Sequence, residues 1–534
     1  MLKVLQKMNQ FQRRSVYFIK SLNFGRSGSP FRQFCRFLIA ILFAGLLHLG
    51  IASGFLVGIS QTAQGQSFNQ ANLFTPNCQL TSDAIAQTTA YRQTALQGEP
   101  QPYRDWLQQL APQLQQCRRQ TWPQTQAIWL RLYPCDVKAG RLDDIFDRIL
   151  SRGYNQVYLE VFSDGQVLLP KRDNPTAWES VVQIEDYAQR DLLAEAIARG
   201  RLRGMRVYAW MFALNFGYRY SLRPDADQIL ARNGRGQTSL SFSNPESYSD
   251  GAAAVNETFV DPYSVQAQAD YQVMLREILK RRPDGILFDY IRYPRGVGSA
   301  TVVSRVEDLW IYGAASQAAF LQRAINNKGR ELLQRYLTQG RLTTADLTAI
   351  NTLYPQEKEP LWEGRSPSTT PPTPLRVESL QAELWQLSLK HAAQGILNFL
   401  QLASQTAQQQ GISPGAVFFP YGNQTVGSGG FDARLQPWDQ FPNSIEWHPM
   451  AYSTCSEVSC IMQEIQRVLN QATAGTQVIP ALAGTWNNWF SDHPPLEWQM
   501  SELRRNFPQV NAVSHFAFSW QETELERDRQ FCEL

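Results

Sequence analysis

Arg282-Pro283-Asp284-Gly285-Ile286-Leu287-Phe288-Asp289-Tyr290-Ile291-Arg292-Tyr293-Pro294 holds a turn, a buried strand and a cluster of charges in one short stretch. Pro-Asp-Gly closes a helix and reverses the chain into the apolar run that follows. Period-two alternation then places Asp289 on the face of Leu287. An unpaired carboxylate there would lose several kcal/mol of hydration, so Asp289 is expected either to pair with a nearby Arg or to work in a cleft. Tyr290, Arg292 and Tyr293 follow it towards the carboxyl end of the strand.

Outward from this segment, apolar runs of strand length alternate with amphipathic runs of helix length, the pattern of βαβ units around a parallel sheet. Eight strands are predicted: Ala127–Pro134, Gln156–Phe162, Arg206–Leu214, Gly285–Tyr293, Gly415–Tyr421, Ser444–Ser453, Gln477–Trp486 and Ala512–Trp520. Helices are predicted at Arg141–Arg152, Asp191–Arg201, Val265–Arg281, Leu380–Gln409, Ser456–Ala472 and Pro495–Asn506, with the weakest signal between strands five and six. Eight units point to an α/β fold, a closed (β/α)8 TIM barrel; an open doubly wound sheet is the alternative. Long insertions follow strand three (Asn215 to Phe259) and strand four (295–379), the second holding the Pro-rich tract Ser366 to Pro374. Both leave the face where barrels keep their chemistry and are expected to wall a cleft.

The chain of 534 residues is 43% apolar and 18% charged, a globular composition. Its net charge of +3 is uneven, because residues 1–36 carry eight Lys or Arg and no acid, leaving 42 basic against 47 acidic residues beyond them. A body of that balance offers phosphate backbones no general attraction, so nucleic acid is not an expected partner. The basic leader is followed by the apolar run Phe37–Ile59, long enough to cross a bilayer, with Ala63-Gln64-Gly65 beyond it as a possible cleavage site. Residues 37–65 therefore read as a signal peptide or a membrane anchor. Either reading exports the remainder, to the periplasm or cell envelope, tethered to the inner membrane through residues 37–59 if uncleaved. Residues 66–125 read as a small helical cap, with helices near Ser82–Gln97 and Tyr103–Arg118, and 126–534 as the barrel. Seven cysteines split likewise: Cys35 precedes the apolar run, and Cys78, Cys117, Cys135, Cys455, Cys460 and Cys532 follow it, where disulfides persist. Cys455 with Cys460, close enough for a local loop, and Cys78 with Cys117, which would staple the helical hairpin, are the suggested pairs among 15 connectivities of six.

Asp284-Gly285, Asp289-Tyr290 and Arg292-Tyr293-Pro294, preceded by Val260-Asp261-Pro262 and a helix, resemble the signature of the bacterial glycosyl hydrolase-like 10 family of envelope-associated (β/α)8 barrels. Tyr208-Ala209-Trp210, Ile412-Ser413-Pro414, Ile445 to Tyr452 and Val513-Ser514-His515-Phe516 resemble its third, fifth, sixth and eighth strands. The resemblance spans about Ala127 to Trp520. It implies a glycan-processing enzyme with Asp289 at the position of the catalytic carboxylate. Where the family follows the third-strand Trp with a polar Asn-Pro-type step, this chain has Met211-Phe212-Ala213, a departure that bears on the sugar contacts the resemblance implies for that strand and leaves Asp289 untouched.

Glycoside hydrolysis takes two carboxyl groups, one to protonate the leaving oxygen and one to attack or to activate water. For the second group Glu160 ranks first, because it shares a face with Tyr158 and Phe162 that points into the barrel. Glu446 ranks second, at the start of strand six on the face of His448 and Tyr452. Asp164 and Glu522 lie in adjoining loops. Trp210, Trp486 and Trp520, with Trp489 in a loop, are expected to offer flat faces to sugar rings beside Tyr290, Arg292, Tyr293, His448 and Tyr452. The five histidines lack a two-ligand spacing and no Gly-rich phosphate loop follows a strand, so neither metal nor cofactor is expected. The expectation is an exported glycoside hydrolase acting on an envelope polysaccharide, with peptidoglycan strands as a candidate substrate. The alternative is a barrel that binds glycan without cutting it.

Overall fold

The computed structural model describes residues 73–242, 257–366, 377–452, 455 and 457–532. The expected leader and anchor, and most of the Pro-rich tract, lie outside them. Among the described residues no helix is long and apolar enough to cross a membrane. Eight parallel strands close on themselves: β1 (Thr125–Leu130), β2 (Gln156–Ser163), β3 (Arg206–Phe212), β4 (Gly285–Asp289), β5 (Pro414–Phe418), β6 (Glu446–Ala451), β7 (Ala481–Ala483) and β8 (Ala512–Phe516). Each pairs with the next, and β1 pairs with both β2 and β8, which makes a barrel and excludes the open sheet. Both faces of a barrel strand are covered, and β4 is buried at every residue. Gly285 opens β4 because a Cβ there would lie 2.3 Å from the Tyr208 ring, which fills the barrel floor.

Helices wrap the barrel: α1 (Ser82–Leu96), α2 (Gln101–Gln120), α3 (Arg141–Ser151), α4 (Leu192–Leu202), α5 (Val265–Lys280), α6 (Ala314–Leu321), α7 (Asn327–Gln339), α8 (Thr344–Leu353), α9 (Val377–Gln408), α10 (Val458–Gln471), α11 (Leu496–Asn506), α12 (Phe518–Gln521) and α13 (Thr523–Gln530). Between β5 and β6 there is no α-helix. That connection instead forms short strands, Thr425–Val426 and Gly430–Asp432, which join Val302–Val303 of the strand-four insertion in a small antiparallel sheet. The insertion and the β5–β6 connection thus build one wall. The helical pair α1–α2 packs against α3 and α4, outside the barrel. Asp147 fixes it there, accepting from Tyr103 Oη at 2.8 Å and pairing with Arg92 at 2.5 Å and with the fully buried Arg203 at 2.8 Å.

All eight strands fall where the sequence places them, but most of them stop short of the predicted carboxyl ends. β4 ends at Asp289 because Tyr290 turns the chain with φ 49°, and Tyr293 is not on the strand at all. Trp486 lies in the loop after β7 and Trp520 in α12.

Disulfides join Cys78 to Cys117, Cys455 to Cys460 and Cys135 to Cys532. The first two are the pairs the sequence suggests, one across the helical hairpin and one in a local loop. The third ties the loop after β1 to the carboxyl terminus across 397 residues. Three such bonds belong to a protein that folds in an oxidising, extracytoplasmic compartment. Non-reducing peptide mapping is expected to recover these three linkages; six free thiols, or other pairings, would overturn them.

Candidate active site

Asp289 ends β4 at the carboxyl-terminal mouth and is only 6% exposed. One carboxyl oxygen accepts from Trp210 Nε1 at 3.0 Å, the other from the Tyr290 backbone N–H at 2.6 Å. Tyr290 itself adopts the left-handed backbone, φ 49°, and turns the chain away from the strand directly after this bond. Burial pushes the Asp289 pKa above the ordinary carboxylate value; the two hydrogen bonds and Arg292 pull it down, and the negative charge of Glu160 pushes it up.

Glu160 stands opposite Trp210 in the β2–β3 register, where a bulge between Glu160 and Phe162 re-aims the end of the strand. Arg131, just past β1, grips it with Nε at 2.7 Å from one oxygen and Nη2 at 2.8 Å from the other, and Ser163 Oγ donates to it as well. Two further carboxyls adjoin. Asp164, in the left-handed turn before Gly165, is raised by burial and by the charges of Glu160 and Glu257 against the pull of Arg131. Glu257 is raised by burial and lowered by Arg292 and a hydrogen bond from Tyr290. Arg292 lies under aromatic rings, 4.4 Å from the Tyr290 centroid and 5.7 Å from that of Phe419, and donates to the Tyr293 carbonyl at 3.0 Å. The mouth therefore gathers four carboxyl groups between two arginines. Among the described residues no group of three or more His, Cys, Asp or Glu side chains could hold a metal ion.

Other predicted residues land elsewhere. Glu446 opens β6 opposite Gly415, at the amino-terminal end of the barrel, and is not brought to Asp289. There it accepts from Tyr208 Oη at 3.0 Å and meets His448 Nε2 at 3.1 Å; burial opposes its ionisation, but these partners outweigh it and lower its pKa. Glu446 and His448 form a floor network, set low because a strand's first residues are farthest from its carboxyl end. Tyr293 is fully buried and donates to the Ala392 carbonyl of α9 at 3.2 Å, so it offers nothing to a ligand in the mouth. The tryptophans do not share one rim. Trp210 is inside the barrel, edge-on to Trp129 at 4.8 Å. Trp486 packs on His515 at 5.3 Å and borders a cavity of about 520 Å³ lined by α1 and α3. Trp520 lies edge-on to Phe516 at 5.5 Å, and Tyr452 touches the same ring at 5.4 Å, so these two stay near the mouth. Glu522 pairs with Arg148 and Arg152 outside the barrel.

Arg131 and Glu257 were not singled out from the sequence. Arg131 had a usable signal, since it follows Ala127 and Trp129 at period two and a charge on that inward face needs a partner. Glu257 had none, because it sits in the strand-three insertion with no periodicity around it.

No family model and no curated protein sequence matches the chain. Among solved structures, the PgaB (BpsB) glycoside hydrolase domain from Bordetella bronchiseptica is similar at 16% identity and a TM-score of 0.43, over 76% of this chain and 98% of that one. The catalytic domain of a beta-amylase from Paenibacillus polymyxa gives 9% and 0.43 over 74% and 92%. A GH18 chitinase from Pseudoalteromonas aurantia gives 12% and 0.34 over 76% and 98%. Likenesses this distant transfer no residue and no activity.

Proposed function

We propose that this chain is an exported glycoside hydrolase of the glycosyl hydrolase-like 10 family that cuts a polysaccharide of the cell envelope, with peptidoglycan strands as the first substrate to try. The reading rests on Asp289, a buried carboxyl at the carboxyl end of a barrel strand, with its pKa pushed up and the Glu160 carboxylate near enough to contribute to that rise. A general acid needs a raised pKa, and the second group of the pair needs to be ionised. Asp289 is the proton donor to the leaving oxygen. Glu160, with Arg131 beside it, is the charged partner. Asp164 and Glu257 line the same mouth and are placed to hold hydroxyls or a water. The basic leader and the disulfides support export, and the run Phe37–Ile59 anchors the chain at the inner membrane if it is not removed.

One observation favours a second reading, a barrel that binds glycan without cutting it: both Glu160 oxygens are engaged by Arg131 and one also by Ser163, which leaves little room for attack. The test is release of reducing ends by the full chain from peptidoglycan, hexosamine polymers and glucans, beside Glu160→Gln, Asp164→Asn and Glu257→Gln. The hydrolase reading expects release from at least one polymer, with the largest loss, roughly 10²-fold or more, in Glu160→Gln. Binding with no release from any polymer would establish the alternative, and a larger loss in Glu257→Gln or Asp164→Asn would reassign the partner.

A further inference from the structure

Trp489 and Trp498 are the most exposed tryptophans among the described residues, at 49% and 53%, and they touch edge to face with centroids 5.9 Å apart. They line a cavity of about 760 Å³ with Val458, Met462, Glu457 and Glu502. Trp489 belongs to the loop after β7, Trp498 to the first turn of α11 and Val458 to the first turn of α10. Segments that leave the carboxyl ends of barrel strands lie on the face that carries Asp289, so the cavity begins at that face beside Trp489 and runs down the outer groove between α10 and α11 to Asn506, the last residue of α11. A chain of ring contacts leads from the cavity to the carboxyl, its inner end at Trp210 buried. Phe490, next to Trp489, stacks on Trp520 at 4.4 Å; Trp520 meets Phe516 at 5.5 Å; Phe516 meets Trp210 at 6.5 Å, and Trp210 donates to Asp289.

The loop is also braced. Asn487 N–H donates to both Glu497 oxygens at 3.1 Å, Phe490 and His493 form a bridge, and the Cys455–Cys460 disulfide closes the turn into α10. Two rigid indoles held half in water bury large area on ligand contact at little cost in side-chain entropy. A pyranose fits such a site because its C–H face covers an indole while its hydroxyls reach the polar rim. The charge of the rim selects among sugars: Glu457 and Glu502 line it, Arg505 pairs with Glu502 at 3.0 Å from outside the lining, and the lining keeps its negative sign through Glu457. Uronates and phosphorylated or sulfated sugars meet like charge there.

We infer that Trp489 and Trp498 form a distal subsite for an uncharged or amine-bearing sugar of a linear glycan whose scissile bond lies at Asp289. The inference rests on the hydrolase reading for the direction of the chain, but not for the site itself.

The test is calorimetric binding to the full chain carrying Asp289→Asn, which keeps oligomers intact. The probes are the dimer and hexamer of N-acetylglucosamine, the deacetylated hexamer and a galacturonate hexamer. Trp489→Ala and Trp498→Ala, both at exposed positions, should each raise Kd for the neutral or deacetylated hexamer roughly tenfold and leave the dimer, too short to span the track, unchanged. The galacturonate hexamer should bind at least roughly tenfold more weakly than either. Unchanged hexamer affinity in both variants, equal binding of galacturonate, or no binding of either hexosamine hexamer would overturn the subsite. So would concentration-dependent dimerisation lost in Trp498→Ala, which would give the patch to a second copy. Failure of the hydrolase reading looks different: wild-type protein would release no reducing ends while the tryptophan-dependent hexamer binding persisted.

Discussion

Asp289→Asn is expected to lower turnover roughly 10²- to 10⁴-fold, the range a positioned general acid supplies, with the fold intact. The substitution keeps the shape and removes the ionisable proton. It also removes a charge whose burial disfavours ionisation, since the pKa is raised in the folded state. A raised carboxyl pKa makes folding less favourable as pH climbs from the unfolded value through the folded one, so at neutral pH Asn gains by deleting that penalty. Against this, Asn has one accepting oxygen where the carboxylate uses two, for Trp210 Nε1 and for Tyr290 N–H. A lost bond of about 1–2 kcal/mol offsets the gain, and melting should move little. The pH profile gives an independent readout. If Asp289 donates the proton, kcat/KM in the wild type falls as pH rises through a pKa above the ordinary carboxylate range, and the residual activity of Asp289→Asn lacks that limb. Wild-type turnover in the variant, or a limb that survives the substitution, would remove Asp289 from the acid role.

How far the sequence led depends on which constraint each residue answers to. Strand positions were legible because a barrel strand is covered on both faces, and runs such as Gly285–Phe288 and Ala127–Leu130 show this without reference to neighbours. Strand ends were not, because aromatic residues continue the apolar run after pairing stops. Tyr290 departs through a left-handed turn, and Trp486 and Trp520 pack in a loop and a short helix rather than on strands. Asp289 stood out through the cost of its burial. Glu446 met the same criterion, and only depth along the strand separates the two, since its register partner Gly415 lies near the amino end of β5 while Asp289 pairs with Phe212 at the carboxyl end of β3. Glu257 and the grip of Arg131 on Glu160 depend on contacts between distant segments, and alternation within one segment does not encode them.

The second large effect is expected far from the mouth in sequence, at Arg529. It is fully buried on α13, its guanidinium 2.9 and 2.8 Å from the two oxygens of Asp136 and 2.7 Å from Glu526, and it also donates to the carbonyl of Arg131. The Cys135–Cys532 disulfide fastens the same two segments one residue from Asp136. Arg529→Met keeps an unbranched apolar stem and leaves the fully buried Asp136 without its cation, which should cost about 3–5 kcal/mol. It also frees the peptide that carries Arg131, so the clamp on Glu160 loosens and turnover falls as well. A second variant separates the two losses. Arg529→Met with Asp136→Leu leaves no ion from that pair in the interior, and Glu526, whose pKa burial already raises, can take up a proton. Melting should then recover much of the way. Turnover should stay low, because the Arg131 carbonyl still lacks its donor. Wild-type melting in the single variant would show that the cluster is not under the strain of burial, and full recovery of both stability and turnover in the double variant would show that Arg529 acts on the fold alone and does not position Arg131.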